Sequence, residues 1–244
     1  QQKASEELID SVKKNRVHLL HAVCGSGKTE ILFPVVAECL MQHKRVCVAT
    51  PRTDVVLELA PRFQKVFPNI FIQALYGGAT VEKRYSPLII ATTHQLYRFE
   101  KAFDVVIVDE ADAFPYTFDE TLQQAVEKAK KSDAPILYVT ATPSDELKEK
   151  VEKLKGGYSF IPRRYHGHPL PVPRYVSLFN YQKQITKGKI PKKLRDWTSL
   201  RLTNEEPFLL FFPTIELMEK AVPLFQKLHP AIEAVHADDP NRKE

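Results

Sequence analysis

A glycine-rich segment near the start of the chain has the residue types of a phosphate-binding loop. It joins an apolar run at 17–20 to another at 31–40, which predicts a strand, a turn and a helix in that order. Backbone N–H groups at such a turn converge on an anion. Lys28 can reach the β- and γ-phosphates of a nucleotide, and Thr29 can place its hydroxyl on Mg²⁺. The predicted ATP-binding residues are Ala22, Val23, Cys24, Gly25, Ser26, Gly27, Lys28, Thr29 and Glu30.

Two carboxylates follow a β-branched apolar run at 105–108, about 80 residues after the loop. Ligands of open parallel sheets bind at the carboxyl ends of the strands, which is where these side chains are expected. Asp109 can hold Mg²⁺, and Glu110 can orient and deprotonate the water that attacks the γ-phosphate. An acidic turn at a strand end is the alternative for this segment alone. The preceding phosphate loop favours a nucleoside triphosphatase.

The rest of the first 160 residues alternates apolar runs with amphipathic stretches. This alternation predicts a parallel sheet covered by helices on both faces. Strands are predicted at 17–23, 45–49, 70–74, 88–91, 105–108, 136–139 and 158–161. Helices are predicted at 31–42, 53–67, 118–131 and 145–154.

Charge is concentrated in one segment of the chain. The whole sequence has a formal net charge of +5, whereas residues 161–202 hold ten Lys or Arg against a single acid, Asp196. Such a basic segment suggests a polyanionic partner, although a solvated connector is an equal alternative. Repeated prolines divide the segment, so we predict a basic connector at 161–205 between a domain at 1–160 and an incomplete second domain at 206–244. His166 and His168 belong to this connector and have no third metal ligand nearby.

Further elements are predicted in the connector and the second domain. Strands are expected at 175–179, 208–212 and 231–235, and helices at 192–202 and 214–228. No apolar run approaches the roughly 20 residues that cross a membrane. Three cysteines without metal-ligand spacing are typical of reduced thiols in a cytosolic protein.

Several short motifs follow predicted strands in a fixed order. They begin at Ala49, Thr92, Thr140 and Phe211, and each alone is a weak signal because hydroxyl residues at strand ends usually cap the next helix. Together with the two ATPase motifs, they resemble superfamily-two helicases and translocases. That resemblance implies RecA-like domains, the second of which only starts in this chain.

A closer resemblance is to the ComFA family, the bacterial competence ATPases of DNA uptake. It is carried by the sequence of residues 22–30, 108–116 and 166–173, and by the similar late segment 235–243. The primosomal restart helicase has a similar phosphate loop and Pro-Leu-Pro connector, so it is the main alternative within the fold. The Phe-Pro-Tyr sequence at 114–116 favours the competence family.

The resemblance implies a cytosolic motor that hydrolyses ATP with Mg²⁺ while it moves single-stranded DNA into the cell. It gives Lys28, Thr29, Asp109 and Glu110 the roles stated above. It also implies that Thr140 and Thr142 couple hydrolysis to domain movement, and that Gln1 contacts adenine. The implied DNA-facing residues are Pro51, Arg52, Thr93, Pro213 and Thr214, to which the basic segment adds Lys192 and Lys193. Candidate aromatic platforms for DNA bases are Tyr97, Phe99, Phe114 and Trp197, with core packing the favoured alternative for any one of them.

The resemblance also has implications for partners and for what the sequence omits. A phosphoribosyltransferase-like protein, a DNA-loading protein for recombination, a homo-oligomer and a peripheral position at the membrane DNA-uptake channel enter by resemblance only. The family's four-cysteine zinc motif and its last arginine-bearing motif have no counterpart in this sequence. We therefore expect a chain that begins after the zinc motif, ends before the arginines and hydrolyses ATP poorly by itself. An ATP-sensing docking module and an RNA helicase are alternatives from other functional classes.

Overall fold

The computed structural model describes residues 1–236 and divides the chain into two compact units. The first unit is Gln1–Pro171 and the second begins at Val172. Most of the segment 235–243, one of those that resemble the competence family, lies outside the described residues.

A seven-stranded sheet, parallel throughout, forms the centre of the first unit. The strands are β1 His18–Ala22, β2 Val46–Thr50, β3 Ile72–Leu75, β4 Leu88–Thr92, β5 Val105–Asp109, β6 Ile136–Thr140 and β7 Gly157–Ile161. Their order across the sheet is β3-β4-β2-β5-β6-β1-β7. The predicted parallel α/β fold and all seven of its predicted strands are confirmed.

Helices connect the strands of the first unit. They are α1 Gln2–Lys13, α2 Lys28–Met41, α3 Thr53–Val66, α4 Glu120–Ala129 and α5 Asp145–Lys153, with a 3-10 helix at Thr93–Arg98. The four helices predicted for this part of the sequence are confirmed, whereas α1 and the 3-10 helix are additional.

Both faces of the sheet are buried, which explains the unbroken apolar runs of its central strands. Alternate residues of one strand belong to two separate core clusters: Val46 and Val48 pack with α1, α2 and α3, whereas Cys47 and Ala49 pack with α4. A parallel sheet covered by helices on both sides requires such runs. The thiols of Cys39 and Cys47 are buried and free, and burial raises the pKa of each.

The second unit, as far as it is described, is helical. It contains α6 Tyr181–Thr186, α7 Lys192–Thr203 and α8 Ile215–Gln226, around a small core of Ile185, Leu217, Ala221 and Phe225. The helices predicted at 192–202 and 214–228 are confirmed.

The strands predicted at 175–179, 208–212 and 231–235 are wrong. The described residues form no strand in the second unit, and these segments are irregular, with turn residues at 179 and 231. Leu210 and Phe212 pack against the small core, while Leu209 and Phe211 are exposed. Alternate side chains therefore face in and out, as in a strand, but the hydrogen-bonded neighbour that defines a strand is missing among the described residues.

A chain of buried polar groups joins α1, β1 and β7. Nδ1 of His18 lies 2.8 Å from Oγ of Ser11, and Nε2 of His18 lies 2.8 Å from Oγ of Ser159. Ser159 also donates a hydrogen bond to Glu7. Burial lowers the pKa of His18 to about 4, because the charged imidazolium would lose its hydration.

This lowered pKa predicts a loss of stability in acid. Between pH 6.5 and about 4 the unfolded chain holds a proton on His18 that the folded chain does not, so the free energy of unfolding falls as pH falls through this range. The expected loss is roughly 3 kcal/mol by pH 4. Urea unfolding at stepped pH should show a flatter dependence for His18→Gln than for wild type. The exposed control His43→Gln should keep the wild-type slope, and an unchanged slope for His18→Gln would contradict the assignment.

Candidate nucleotide-binding site

Three neighbouring strands bring the predicted ATPase residues to one edge of the sheet. Strand β6 lies between β5 and β1, and its register pairs Val139 with Asp109 on one side and Thr140 with His21 on the other. Since the strands are parallel, the carboxyl ends of β1, β5 and β6 lie at the same edge of the sheet. The phosphate loop, the acidic motif and the threonines are located at these three ends. This is the edge at which open α/β sheets bind ligands.

Two glycines shape the loop between β1 and α2. Gly25 has φ +75° and Gly27 has φ +79°, the left-handed region that glycine adopts without steric cost. The N–H of Ser26 donates to the carbonyl of Val23 at 3.1 Å, which closes the turn. Helix α2 then begins at Lys28, so its N-terminal N–H groups point toward the loop, as in an anion-binding site.

The first residue of the chain lies against this loop. Nε2 of Gln1 donates a hydrogen bond of 2.7 Å to the carbonyl of Ser26, and a Cβ at Gly27 would fall 2.2 Å from the same nitrogen. Ala4 and Leu8 of α1 are buried in the core and fix the helix that carries Gln1. This position is compatible with the predicted adenine contact, which stays a prediction.

Asp109 is a buried carboxylate next to a lysine. Its residue is 7% exposed, and it accepts a 3.0 Å hydrogen bond from the N–H of Glu110. Burial raises the pKa of Asp109 to about 6, while the positive charge of Lys28 acts in the opposite direction. A bound cation would stabilise the ionised form, and a carboxylate oxygen is a ligand that Mg²⁺ prefers. Asp109 and Thr29, both of them buried, therefore fit the predicted metal site.

Glu110 occupies an unusual backbone conformation. Its φ is +53°, which is uncommon for a residue other than glycine and is often found at functional sites. Its Oε2 is buried and has no hydrogen-bond partner within residues 1–236. An acceptor oxygen held in this way has the chemistry of a general base for water.

Asp112 connects the acidic motif to the threonines at the end of β6 and just beyond it. Thr140 and Thr142 donate hydrogen bonds to its two carboxylate oxygens, and the N–H of Thr142 donates to Oγ1 of Thr140 at 3.1 Å. Asp112 lies within the segment 108–116 that resembles the competence family, and no role was predicted for it. Its position three residues after Asp109 was the available signal.

The remaining loop residues have structural partners. The N–H of Val23 donates to Ile161 of β7 at 3.2 Å, and Glu30 accepts a 2.6 Å hydrogen bond from Arg62 of α3. Ala22 is buried at the end of β1, and Cys24 is exposed with a free thiol.

The residues predicted to face DNA are divided between the two units. Pro51, Arg52 and Thr93 follow the adjacent strands β2 and β4, where Arg52 is exposed and paired with Asp54, while Thr93 is fully buried.

The other four predicted DNA-facing residues belong to the second unit. Lys192 and Lys193 are exposed at the start of α7, after a loop that ends at Pro191. Thr214 follows Pro213, and its Oγ1 accepts a 3.3 Å hydrogen bond from the N–H of Leu217, so it caps α8.

The described part of the chain lacks two further kinds of site. Residues 1–236 contain no group of three or more histidine, cysteine or acidic residues placed to hold a metal. Over the same residues, no helix combines the length and the apolar character of a membrane span.

Comparison with known proteins defines the class to which this fold and site belong. The profile of the family described as "Type III restriction enzyme, res subunit" matches residues 1–145, so the chain belongs to this helicase-like family. A solved structure titled as a hypothetical ATP-dependent RNA helicase from Sulfolobus tokodaii shares the fold, with a TM-score of 0.51 and 20% identity. That match covers 65% of this chain and 51% of the other.

Within the helicase-like class of proteins, the chain is most similar in sequence to competence proteins among the relatives compared below. The chain is 48% identical to competence protein ComFA of Bacillus subtilis over its full 244 residues, and 38% identical to ComFA of Streptococcus pneumoniae over 94% of its length. It spans 53% of each of these relatives, about half their length. Replication restart protein PriA of Bacillus subtilis matches at 23% over 75% of the chain and 24% of the relative. The resemblance to the competence family is confirmed, and the restart helicase is the more distant relative.

The position of Lys28 beside the loop and Asp109 predicts its importance for nucleotide binding. Lys28→Ala should weaken Mg·ATP binding by about 10- to 100-fold, because a charge-assisted contact with phosphate is lost. Titration with a fluorescent ATP analogue measures this, and circular dichroism checks the fold. Lys65→Ala, a change at an exposed lysine of α3, should bind as wild type does. Equal affinities for both variants would place the nucleotide elsewhere.

Proposed function

We propose that this chain is the ATP-driven part of a motor that moves single-stranded DNA during bacterial DNA uptake. The observation that carries the proposal is that Lys28, Asp109 and Glu110 lie at one edge of the sheet. At the same edge, Asp112 accepts hydrogen bonds from Thr140 and Thr142. The similarity to the competence proteins supports the DNA-uptake context. DNA dependence, single-strand movement and all partners belong to the proposal.

Each site residue has a separate task in ATP hydrolysis. The loop amides and Lys28 bind the phosphates, while Thr29 and Asp109 would hold Mg²⁺, which neutralises charge on the phosphates when it is bound. Glu110 orients a water and accepts its proton, which suits an unpaired buried carboxylate oxygen. The buried setting strengthens each of these electrostatic contacts relative to water.

The hydrogen bonds of Asp112 supply a route from hydrolysis to movement. Any shift of the acidic motif when the γ-phosphate leaves would be transmitted to Thr140 and Thr142, because both hydroxyls share the Asp112 carboxylate. The segment after β6 continues into α5 and β7, from which the chain proceeds toward the second unit. We infer that this link carries the coupling implied by the family resemblance.

Single-stranded DNA is the proposed polymer because the charge and aromatic features suit it. Residues 161–202 carry a net charge of +9, from ten basic residues and one acid, and Lys192 and Lys193 are exposed there. Phe114, which follows the acidic motif, is 75% exposed, so its ring is accessible for stacking with a base. Phe99 packs on Phe103 at 4.9 Å between ring centroids, which makes it a core residue instead.

Nucleic-acid stimulation of ATPase activity tests the function. Single-stranded DNA should raise the steady-state rate of the full-length protein, whereas Glu110→Gln should bind Mg·ATP and lose turnover with or without DNA. Thr142→Val should keep basal turnover and lose much of the stimulation, because it removes one of the hydroxyls on Asp112. A rate indifferent to nucleic acid would favour a docking module, and stimulation by RNA alone would favour an RNA motor.

Salt dependence tests the DNA contact of the basic segment. The double change Lys192→Ala and Lys193→Ala should weaken binding to all sequences and reduce the slope of log K against log salt by about 1.4, from roughly 0.7 for each phosphate contact on a single strand. Fluorescence anisotropy from 50 to 300 mM salt measures the slope. Lys65→Ala with Lys83→Ala, which removes two exposed lysines of the first unit, is the control. An unchanged slope in the Lys192→Ala and Lys193→Ala variant would favour the alternative interpretation, in which the segment is a solvated connector that does not bind DNA.

A further inference from the structure

The segment that leaves β7 returns to the phosphate loop. The N–H of Tyr165 donates a 2.8 Å hydrogen bond to the carbonyl of Gly25, in addition to the bond from Val23 to Ile161. A turn follows, since the N–H of Gly167 donates to the carbonyl of Arg164 at 3.0 Å. These residues lie in the predicted basic connector at 161–205. The structure places the first of them, up to Pro171, in the same unit as the loop.

These contacts hold a guanidinium group directly against the loop. A Cβ placed on Gly25 would lie 3.0 Å from Nε of Arg164, 3.5 Å from its Nη2 and 3.7 Å from its Cζ. The absence of a side chain at Gly25 therefore makes room for the arginine, in addition to permitting the positive φ.

Arg164 lacks the partners that usually accompany a half-buried arginine. Its Nε is buried without a hydrogen-bond partner in residues 1–236, and no carboxylate within this range lies at ion-pair distance from it. Its single side-chain hydrogen bond is a long one, 3.5 Å from Nη1 to the carbonyl of Pro169. A planar cation with unused donors beside a phosphate-binding loop has the chemistry to bind phosphate oxygens.

We propose that Arg164 is a nucleotide-binding residue that supplies a second cation to the triphosphate. The inference rests on the proposed function, because it needs a nucleotide in the loop. It adds a residue from outside the recognised motifs, about 140 positions after Gly25 in the chain. It also means that nucleotide binding fixes the segment 162–171, through which the chain passes from the first unit to the second.

The neighbouring arginine provides a matched control. Arg163 has the same charge and is exposed. Arg164→Gln should weaken Mg·ATP binding by about 10- to 100-fold, whereas Arg163→Gln should change it by less than about twofold. Arg164→Lys should recover a large part of the loss and Arg164→Met should not, because the contact depends on charge. A role confined to packing the loop would show no such recovery by lysine.

Lys28→Ala separates this inference from the proposed function. If Lys28→Ala loses ATP affinity and Arg164→Gln does not, the assignment of Arg164 is overturned and the nucleotide site stands. If neither variant loses affinity, the nucleotide site itself fails.

Chemical modification of the wild-type protein covers the case in which Arg164→Gln does not fold. Mg·ATP should slow the reaction of phenylglyoxal with Arg164, read by peptide mass spectrometry, and leave the reaction at Arg163 unchanged. Equal rates at Arg164 with and without nucleotide would overturn the proposal.

Discussion

The burial of a carboxylate beside a lysine at one edge of a parallel sheet is the constraint on which this site depends. Asp109 ends a strand whose residues are all buried, so its charge is costly unless a cation is near. Lys28 supplies one such charge, and the predicted metal would supply more. The sheet holds both residues in place because β6 lies between β5, which ends at Asp109, and β1, which leads into the loop before Lys28, and it fixes the register on each side. An alternative order of strands would separate the lysine from the carboxylate.

Much of the first unit could be predicted because its chemistry is local in the sequence. Strand β5 shows as four consecutive β-branched residues, since both faces of the sheet are covered. The apolar run at 208–212, which has no β-branched residue, also predicted a strand, but none formed there and Leu209 and Phe211 face outward. An apolar run reports that side chains can be buried, and it contains no information on whether a neighbouring strand is present. Pairing partners are non-local, so the run alone could not decide the assignment.

In the site, too, residues within short motifs could be predicted from the sequence, whereas a residue far along the chain could not. The loop glycines and Asp109 were found from their spacing, because each motif is a short segment with its own geometry. Arg164 reached the loop through a turn after β7 and a backbone hydrogen bond from Tyr165, neither of which has a sequence signature. In the sequence it was one of several arginines and lysines in a basic stretch. Its isolation from carboxylates became visible only in three dimensions.

The position of β1 in the sheet has a consequence for synthesis of the chain. Its neighbours are β6 and β7, whose residues begin at Ile136 and Gly157, so the strand that ends at Ala22 has no partner until more than a hundred further residues exist. At about 5–20 residues per second, the ribosome needs roughly 6 to 23 s to extend the chain from residue 22 to residue 136. During that interval an apolar strand edge is exposed in the nascent chain. The phosphate loop, although it is made more than a hundred residues before β6, is therefore completed with the last strands of its unit.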